Sequence, residues 1–329
     1  MKIQSKTIYK LKKRNITASN ITIGSICGLL LNMSLVTSVY ATTTPEGRSQ
    51  KTLDRKSLQV LRAKDEAMYQ QYQPKNLQTY DFVLPVGSKV PEVHQLANDL
   101  QYYFFNYQDK SRYEEIAERI VQLDPSYPSA YLMKSFYVSD DTPEYKALVT
   151  KANELAKTHP LESERYMVQA DYNLLITEDY DRALQYFQHV ADMYPESSIA
   201  IWCVGMVYYY SGQQQQALAA YQKSVELNPN LAKGYESIAW IYSDKRNQTL
   251  FDKTMALKYL NIAKEKGANA ENDIYYAEYE AYVYYINDMF DKVESSIGEY
   301  YGFGEKYKNS ETLANILKWT QDKQKLAVQ

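Results

Sequence analysis

Few side chains in this 329-residue chain have the type and spacing that bond-making chemistry needs. The three histidines, His94, His159 and His189, share no motif, and each reads as a surface or half-buried helix residue. Cys27 and Cys203 cannot build a disulfide framework, and no Cys/His spacing suits a metal. There is no phosphate loop, nucleophile elbow or HExxH stretch. Neighbouring carboxylates such as Glu162 and Glu164 read as a solvated helix face. The expectation is a protein without metal, cofactor or catalytic centre. What the chain has in abundance is tyrosine, with 34 residues. A phenol ring offers a large apolar body with one polar tip, which suits half-buried helix faces and contact surfaces. The chemistry on offer is recognition.

Charge narrows the partner. The formal net charge is −3, but Lys2, Lys6, Lys10, Lys12, Lys13 and Arg14 make residues 1–41 purely basic. The remainder carries 31 basic and 40 acidic residues, a net −9. An acidic body argues against a nucleic-acid backbone as the partner.

The basic lead is followed by an apolar stretch from Ile21 to Val39 and by Val39-Tyr40-Ala41, which reads as an export signal cleaved after Ala41. An uncleaved membrane anchor is the other reading, although Asn32, Ser34, Thr37 and Ser38 interrupt the run. Ile26 before Cys27 argues against lipidation. The expected location is periplasmic or secreted, or else membrane-anchored with the body outside the cytoplasm. A lone Cys203 in an oxidising compartment is expected to be buried.

The elements that must position the tyrosines come from a repeat. In 164–231 the chain says the same thing twice: Ala183, Phe187, Val190 and Pro195 are followed 34 residues later by Ala217, Tyr221, Ser224 and Pro229. Self-similarity at this period predicts stacked helix–turn–helix units. The stretch resembles the tetratricopeptide repeat (TPR) family. Residues 198–231 match through Ile201, Val204, Gly205, Tyr208, Gly212, Ala217, Tyr221, Ser224 and Pro229. Residues 164–197 match through Met167, Ala170, Tyr180, Ala183, Phe187 and Pro195, and depart at Asp171 and Val190, where the family has small residues. The resemblance implies an all-α, right-handed superhelical solenoid.

The unit-closing prolines Pro125, Pro160, Pro195 and Pro229 carry the spacing to both sides of this pair. The array is expected over 91–301, from a helix opened by Pro91 to a sixth unit ended by Gly302 and Gly304. Residues 302–329 are expected to end it with a capping helix that starts after Ser310 and turns Leu313, Ile316 and Leu317 inward. Residues 42–90 read as a linker and an extended arm, with Tyr80, Phe82 and Leu84 on one side.

In the TPR family the first helix of each unit lines a concave groove. Carrying that register over implies a floor of Tyr137, Tyr172, Met206, Trp240 and Tyr282, with Trp202, Tyr209, Tyr210 and Tyr285 beside it. Asp140, Asp141, Glu236, Asp244 and Glu278 would form acidic edges. The implied function is protein–protein interaction, with an extended peptide or protein segment held in an aromatic groove. The same rings could instead pack against neighbouring helices or the 74–90 segment. Position 5 of the units carries Met133, Val168, Trp202 and Glu236 rather than lysine, so a basic or apolar partner fits better than an acidic tail. The alternative is a structural subunit of an envelope or secretion assembly, held through its convex face or N-terminal arm.

Overall fold

The computed structural model describes residues 53–75, 77, 84–106, 110–136, 138, 142–270 and 274–328. The expected signal over 1–41 and the side chains Tyr80, Phe82, Tyr137, Asp140 and Asp141 lie outside the described residues. Every regular element among the described residues is helical. Six antiparallel pairs follow one another: α2 (Pro91–Asn106) with α3 (Lys110–Leu123), α4 (Pro128–Ser135) with α5 (Pro143–Ala156), α6 (Glu162–Tyr172) with α7 (Tyr180–Met193), α8 (Ser198–Tyr210) with α9 (Gln214–Leu227), α10 (Ala232–Ser243) with α11 (Lys253–Glu265), and α12 (Ile274–Ile286) with α13 (Phe290–Gly302). A helix α1 (Arg55–Tyr72) precedes them, and α14 (Glu305–Lys308) and α15 (Glu311–Val328) close the stack.

Local chemistry starts and stops these helices. Pro91, Pro128 and Pro143 open α2, α4 and α5, where their missing N–H costs nothing. Asp179 accepts the Arg182 N–H at 3.1 Å, and Ser197 accepts that of Ala200 at 3.2 Å. Gly212 ends α8 at φ 83°, a left-handed value that favours glycine. Within a pair the helices approach closely because small residues face large ones. A Cβ on Gly205 of α8 would come within 2.7 Å of the Tyr221 ring of α9. Ala183, Phe187, Ala217 and Ile238 are fully enclosed in this core. Cys203 is buried with them.

Part of the stretch read as linker and arm is helical. Helix α1 docks on α6 and α7 through buried Leu58, through Leu61 packed on the core, and through charge complementarity. Its buried Asp65 accepts the backbone N–H groups of Glu162 and Ser163 at 2.9 and 2.8 Å and the Ser163 hydroxyl at 2.7 Å, so one carboxylate caps α6. One turn earlier, Arg62 donates to the Met193 carbonyl at the end of α7 (3.1 Å) and to both Glu196 oxygens. Residues 84–90 are tied down as well. The Gly87 carbonyl lies 2.8 Å from His159 Nε2, and Ser88 donates to Asp124 at 2.5 Å. A Cβ on Gly87 would collide with the His159 ring. All three histidines, expected at the surface or half-buried, are buried: His94 and His159 hold this segment, and His189 lies under α6 against Tyr166.

The solenoid winds tightly enough for its first helix to meet its fifth unit. Helix α2 contacts α10, and the Asn106 carbonyl sits where a Cβ on Gly267 would need to be, 2.9 Å away. At the other end, Ser310 caps α15 through the Leu313 N–H (3.0 Å) and donates to Glu278 (2.6 Å), while Leu313 and Ile316 are buried against α12 and α13. No helix among the described residues is long and apolar enough to cross a membrane.

Candidate functional site

The residues implied as a groove floor do not share one environment. Trp202 and Met206 are enclosed rather than open. Trp202 is only 6% exposed, and its Nε1 donates to Ser237 Oγ at 2.9 Å. Its ring meets Phe105 of α2 edge-on at 5.3 Å and lies 6.1 Å from Tyr221. The physical reason is the winding. Helix α2 lays Phe104 and Phe105 into the concave side of the array, where Phe104 also stacks on Phe136 at 5.2 Å and receives the Lys233 ammonium at 5.9 Å from its ring. The first helix of the array, α2, thus covers Phe136 and Trp202 on this side.

Tyr172 is half-buried and set apart from the others. It ends α6 at a π-helical turn (Asn173–Thr177) and lines a polar pocket with Asn153, Gln169, Asp179, Arg182 and Tyr186. A π turn inserts an extra residue into the helix and rotates the residues beyond it. The turn follows Tyr172, so the regular register holds up to that residue and is lost only beyond it.

Tyr209, Tyr210, Trp240, Tyr282 and Tyr285 are all half-exposed on successive units, and Tyr209 and Tyr282 share Asp244 as a neighbour. Tyr209 and Tyr210 end α8 and meet edge-on at 5.9 Å. Trp240 of α10 stacks on Tyr279 of α12 at 4.2 Å. Tyr285 tilts against Trp319 of α15 at 5.8 Å, with Lys323 4.5 Å and Lys245 5.7 Å from its ring. Between Tyr209 and Tyr282 lies Asp244, clamped by Arg246 at 2.6 and 2.7 Å. Burial and the Asp244 charge push both phenols up to about 12. Burial works against the Asp244 carboxylate, and the Arg246 guanidinium outweighs it, holding its pKa below the ordinary value. The rings therefore form a ledge at the ends of the first helices of the last three units, with the Tyr209 and Tyr282 phenols neutral and the Tyr210 hydroxyl and Trp240 Nε1 buried beneath it.

The acidic edges are not free. Glu236 is buried with Lys233 at 3.1 Å, Asp244 belongs to Arg246 and Gln214, and Glu278 accepts from Ser310. The ledge also carries the ammonium groups of Lys245 and Lys323 beside Tyr285. Trp319, Arg246 and Lys323 were missed by the repeat register, because they come from the terminal helix and from the lengthened loop of the fifth unit. The terminal helix and the loop, KRNQTLFDK between two helical stretches, were both visible in sequence, but not that they meet the ledge. Among the described residues no group of His, Cys, Asp and Glu could hold a metal ion.

A family profile described as Tetratricopeptide repeat matches residues 199–231. No curated protein matches the sequence. Among solved structures, "Crystal structure of MamA" is 19% identical, covers 56% of this chain and 95% of that one, and superposes with a TM-score of 0.32. "MamA RS-1 ArsTM double mutant" is 16% identical over 53% of this chain and 94% of that one, with a TM-score of 0.32. Superpositions this loose carry no residue across. The family match and the sequential helix pairs make the architecture one of protein–protein interaction scaffolds.

Proposed function

The chain being a tetratricopeptide-repeat protein, we propose that it binds an extended, apolar protein segment along the ledge formed by Tyr209, Tyr210, Trp240, Tyr282 and Tyr285. The observation that carries this reading is that these five rings are half-exposed on consecutive units while Phe104 and Phe105 cover Phe136 and Trp202 in the earlier units. Rings of this kind give apolar contact area at low entropic cost. The partner is apolar rather than charged, because Asp244 and Arg246 neutralise each other at the centre of the ledge. Its task is recognition, not catalysis.

The work is done outside the cytoplasm. The support is the basic, then apolar, N-terminal sequence ending in Val39-Tyr40-Ala41. Mass spectrometry of the exported chain should find an N-terminus at Thr42. An intact Met1 in a membrane fraction would instead establish the anchor.

The binding claim is tested by photo-crosslinking from position 282 in the producing cell. The triple change Tyr209→Ala, Tyr282→Ala, Tyr285→Ala should abolish the crosslinked partner while helicity is unchanged. A partner retained by that variant but lost when charges are reversed on the outward faces of α9 and α11 would overturn the ledge and favour an assembly subunit held by its convex face.

A further inference from the structure

Between α2 and the second to fourth helix pairs lies a cavity of about 100 Å³. Its wall is built from Leu100, Phe104, Phe136, Trp202 and Met206, and it is rimmed by the half-exposed Gln101, Ser129, Met133 and Met167. Two buried carboxyls break the apolar lining: Glu164, which accepts the Ser129 N–H at 3.0 Å, and Asp171. Asp171 of α6 stands in the wall, only 6% exposed, and among the described residues no hydrogen-bond donor and no cation reaches its carboxyl. The fold does not ask for it. Thirty-four residues on, the equivalent place is Gly205, and the later units have Ala239 and Ala281 there. A charged carboxyl at such a depth costs several kcal/mol unless it is paired.

We propose that this cavity binds the protonated amine of a small alkyl chain, with the ammonium against Asp171 and the stem against Phe104, Phe136 and Trp202. An ammonium group is what a buried carboxylate surrounded by ring faces recognises, through an ion pair and the rings' quadrupoles. An anion would be repelled, and a neutral hydrocarbon would leave the acid without a partner. The size suits a chain of four or five heavy atoms, since engineered cavities of about 150 Å³ hold benzene. A free alkylamine and a lysine side chain of a bound protein offer the same chemistry. The site is separate from the ledge, and the inference does not depend on it.

The proton balance is set by the surroundings. Burial holds the Asp171 carboxyl up at about 8, so it is neutral at pH 7 and loses its proton to solvent as the ammonium enters. The other groups facing the cavity do not supply a cation. Glu164 is held by the Ser129 N–H at 3.0 Å, and burial pushes the Tyr127 phenol and the Cys203 thiol well up. Lys233 lies beyond the Phe104 ring and is paired with Glu236.

The test is calorimetric titration of the full chain with n-butylamine, with n-butanol as the uncharged control, from pH 6 to 9. Butylamine should bind with release of close to one proton at pH 6 and almost none at pH 9, and its affinity should rise about tenfold per pH unit below pH 8 and then level off. Asp171→Asn should lower butylamine affinity at least tenfold and leave butanol unchanged. Blocked lysine (both backbone ends capped) distinguishes the sources: binding admits a protein side chain, and exclusion leaves the free amine. The proposal is overturned if butylamine does not bind, if butanol binds as well as butylamine, or if amine affinity is independent of pH. The pH series uses the unmodified protein, so it decides the matter even if the variant does not fold.

Discussion

Phe105 of the first array helix meets the indole of Trp202 edge-on, with ring centroids 5.3 Å apart and planes at 88°. That contact joins the first unit to the fourth across the concave side of the solenoid. Both rings are buried, so the contact belongs to the core. Phe105→Ala should cost about 3–5 kcal/mol, the range for removing a large buried ring. Urea unfolding would measure it. Tryptophan emission should shift red in the same variant as water reaches Trp202.

Asp65 is the residue through which α1 belongs to the fold. It satisfies the first N–H groups of α6 and the Ser163 hydroxyl at once. Asp65→Ala would strand those donors in a buried setting, at about 1–3 kcal/mol. Hydrogen exchange should show protection lost first along 55–72, with 198–227 unaffected. Equal loss along the whole chain would mean that α1 is not a separate unit of stability.

His189 is buried against the Tyr166 ring at 5.1 Å, and among the described residues neither ring nitrogen is hydrogen-bonded. Burial lowers its pKa, with Asp192 opposing the shift only in part. The folded form therefore resists protonation more than the unfolded chain does. The stability this lends is present above about pH 6.5 and is lost as pH falls below it, at up to about 1.4 kcal/mol per unit. His189→Phe should remove that slope. Unfolding midpoints of the two proteins at pH 5.5 and 7.5 would reveal it as a difference of differences.

Asp171 has the opposite sign. Its folded pKa of about 8 lies far above the ordinary 3.8, so the folded state holds the proton longer. Its contribution to stability is greatest below about pH 4, falls as pH rises, and levels off above about 8. Asp171→Asn should make the protein more stable at pH 8.5 and change little at pH 4. Thermal unfolding at both values would check this, and equal effects at both would contradict it.

How much of this was legible in the sequence depends on the range of the contact. The unit spacing and the cap at Ser310 are local, and Pro125, Pro160, Pro195 and Pro229 mark the unit ends directly. The direction of Trp202 was not legible. A repeat register says which way a side chain leaves its helix, not that Phe104 and Phe105 of another unit will fill the space it faces. Helix α1 was missed as a docked element because its apolar face is thin, only Leu58, Leu61 and Tyr69, and Asp65 and Arg62 supply the rest of its hold by charge and hydrogen bonds. The π turn after Tyr172 gave no signal at all. Asp171 did stand out, as a charged residue where the repeat has a small one, but only the cavity gives that departure a meaning.

The two glycines Gly205 and Gly298 show how strongly packing decides a substitution. Each lies inside a helix, where alanine is the better helix former by about 1 kcal/mol. Gly298 is exposed on α13, and a Cβ there would meet nothing within 4 Å. Gly298→Ala should therefore stabilise the protein by up to that amount. At Gly205 the same Cβ would stand 2.7 Å from Tyr221 Cε1 and 3.1 Å from Ala220 Cβ. The Tyr221 ring has no room to move, being buried and placed 6.1 Å from the Trp202 ring. Overpacking of this kind costs about 1–3 kcal/mol, more than the propensity gain. Gly205→Ala should lower the unfolding midpoint, and Gly205→Val should lower it further. If Gly205→Ala stabilised as Gly298→Ala does, the close approach of α8 to α9 would not be what keeps glycine at 205.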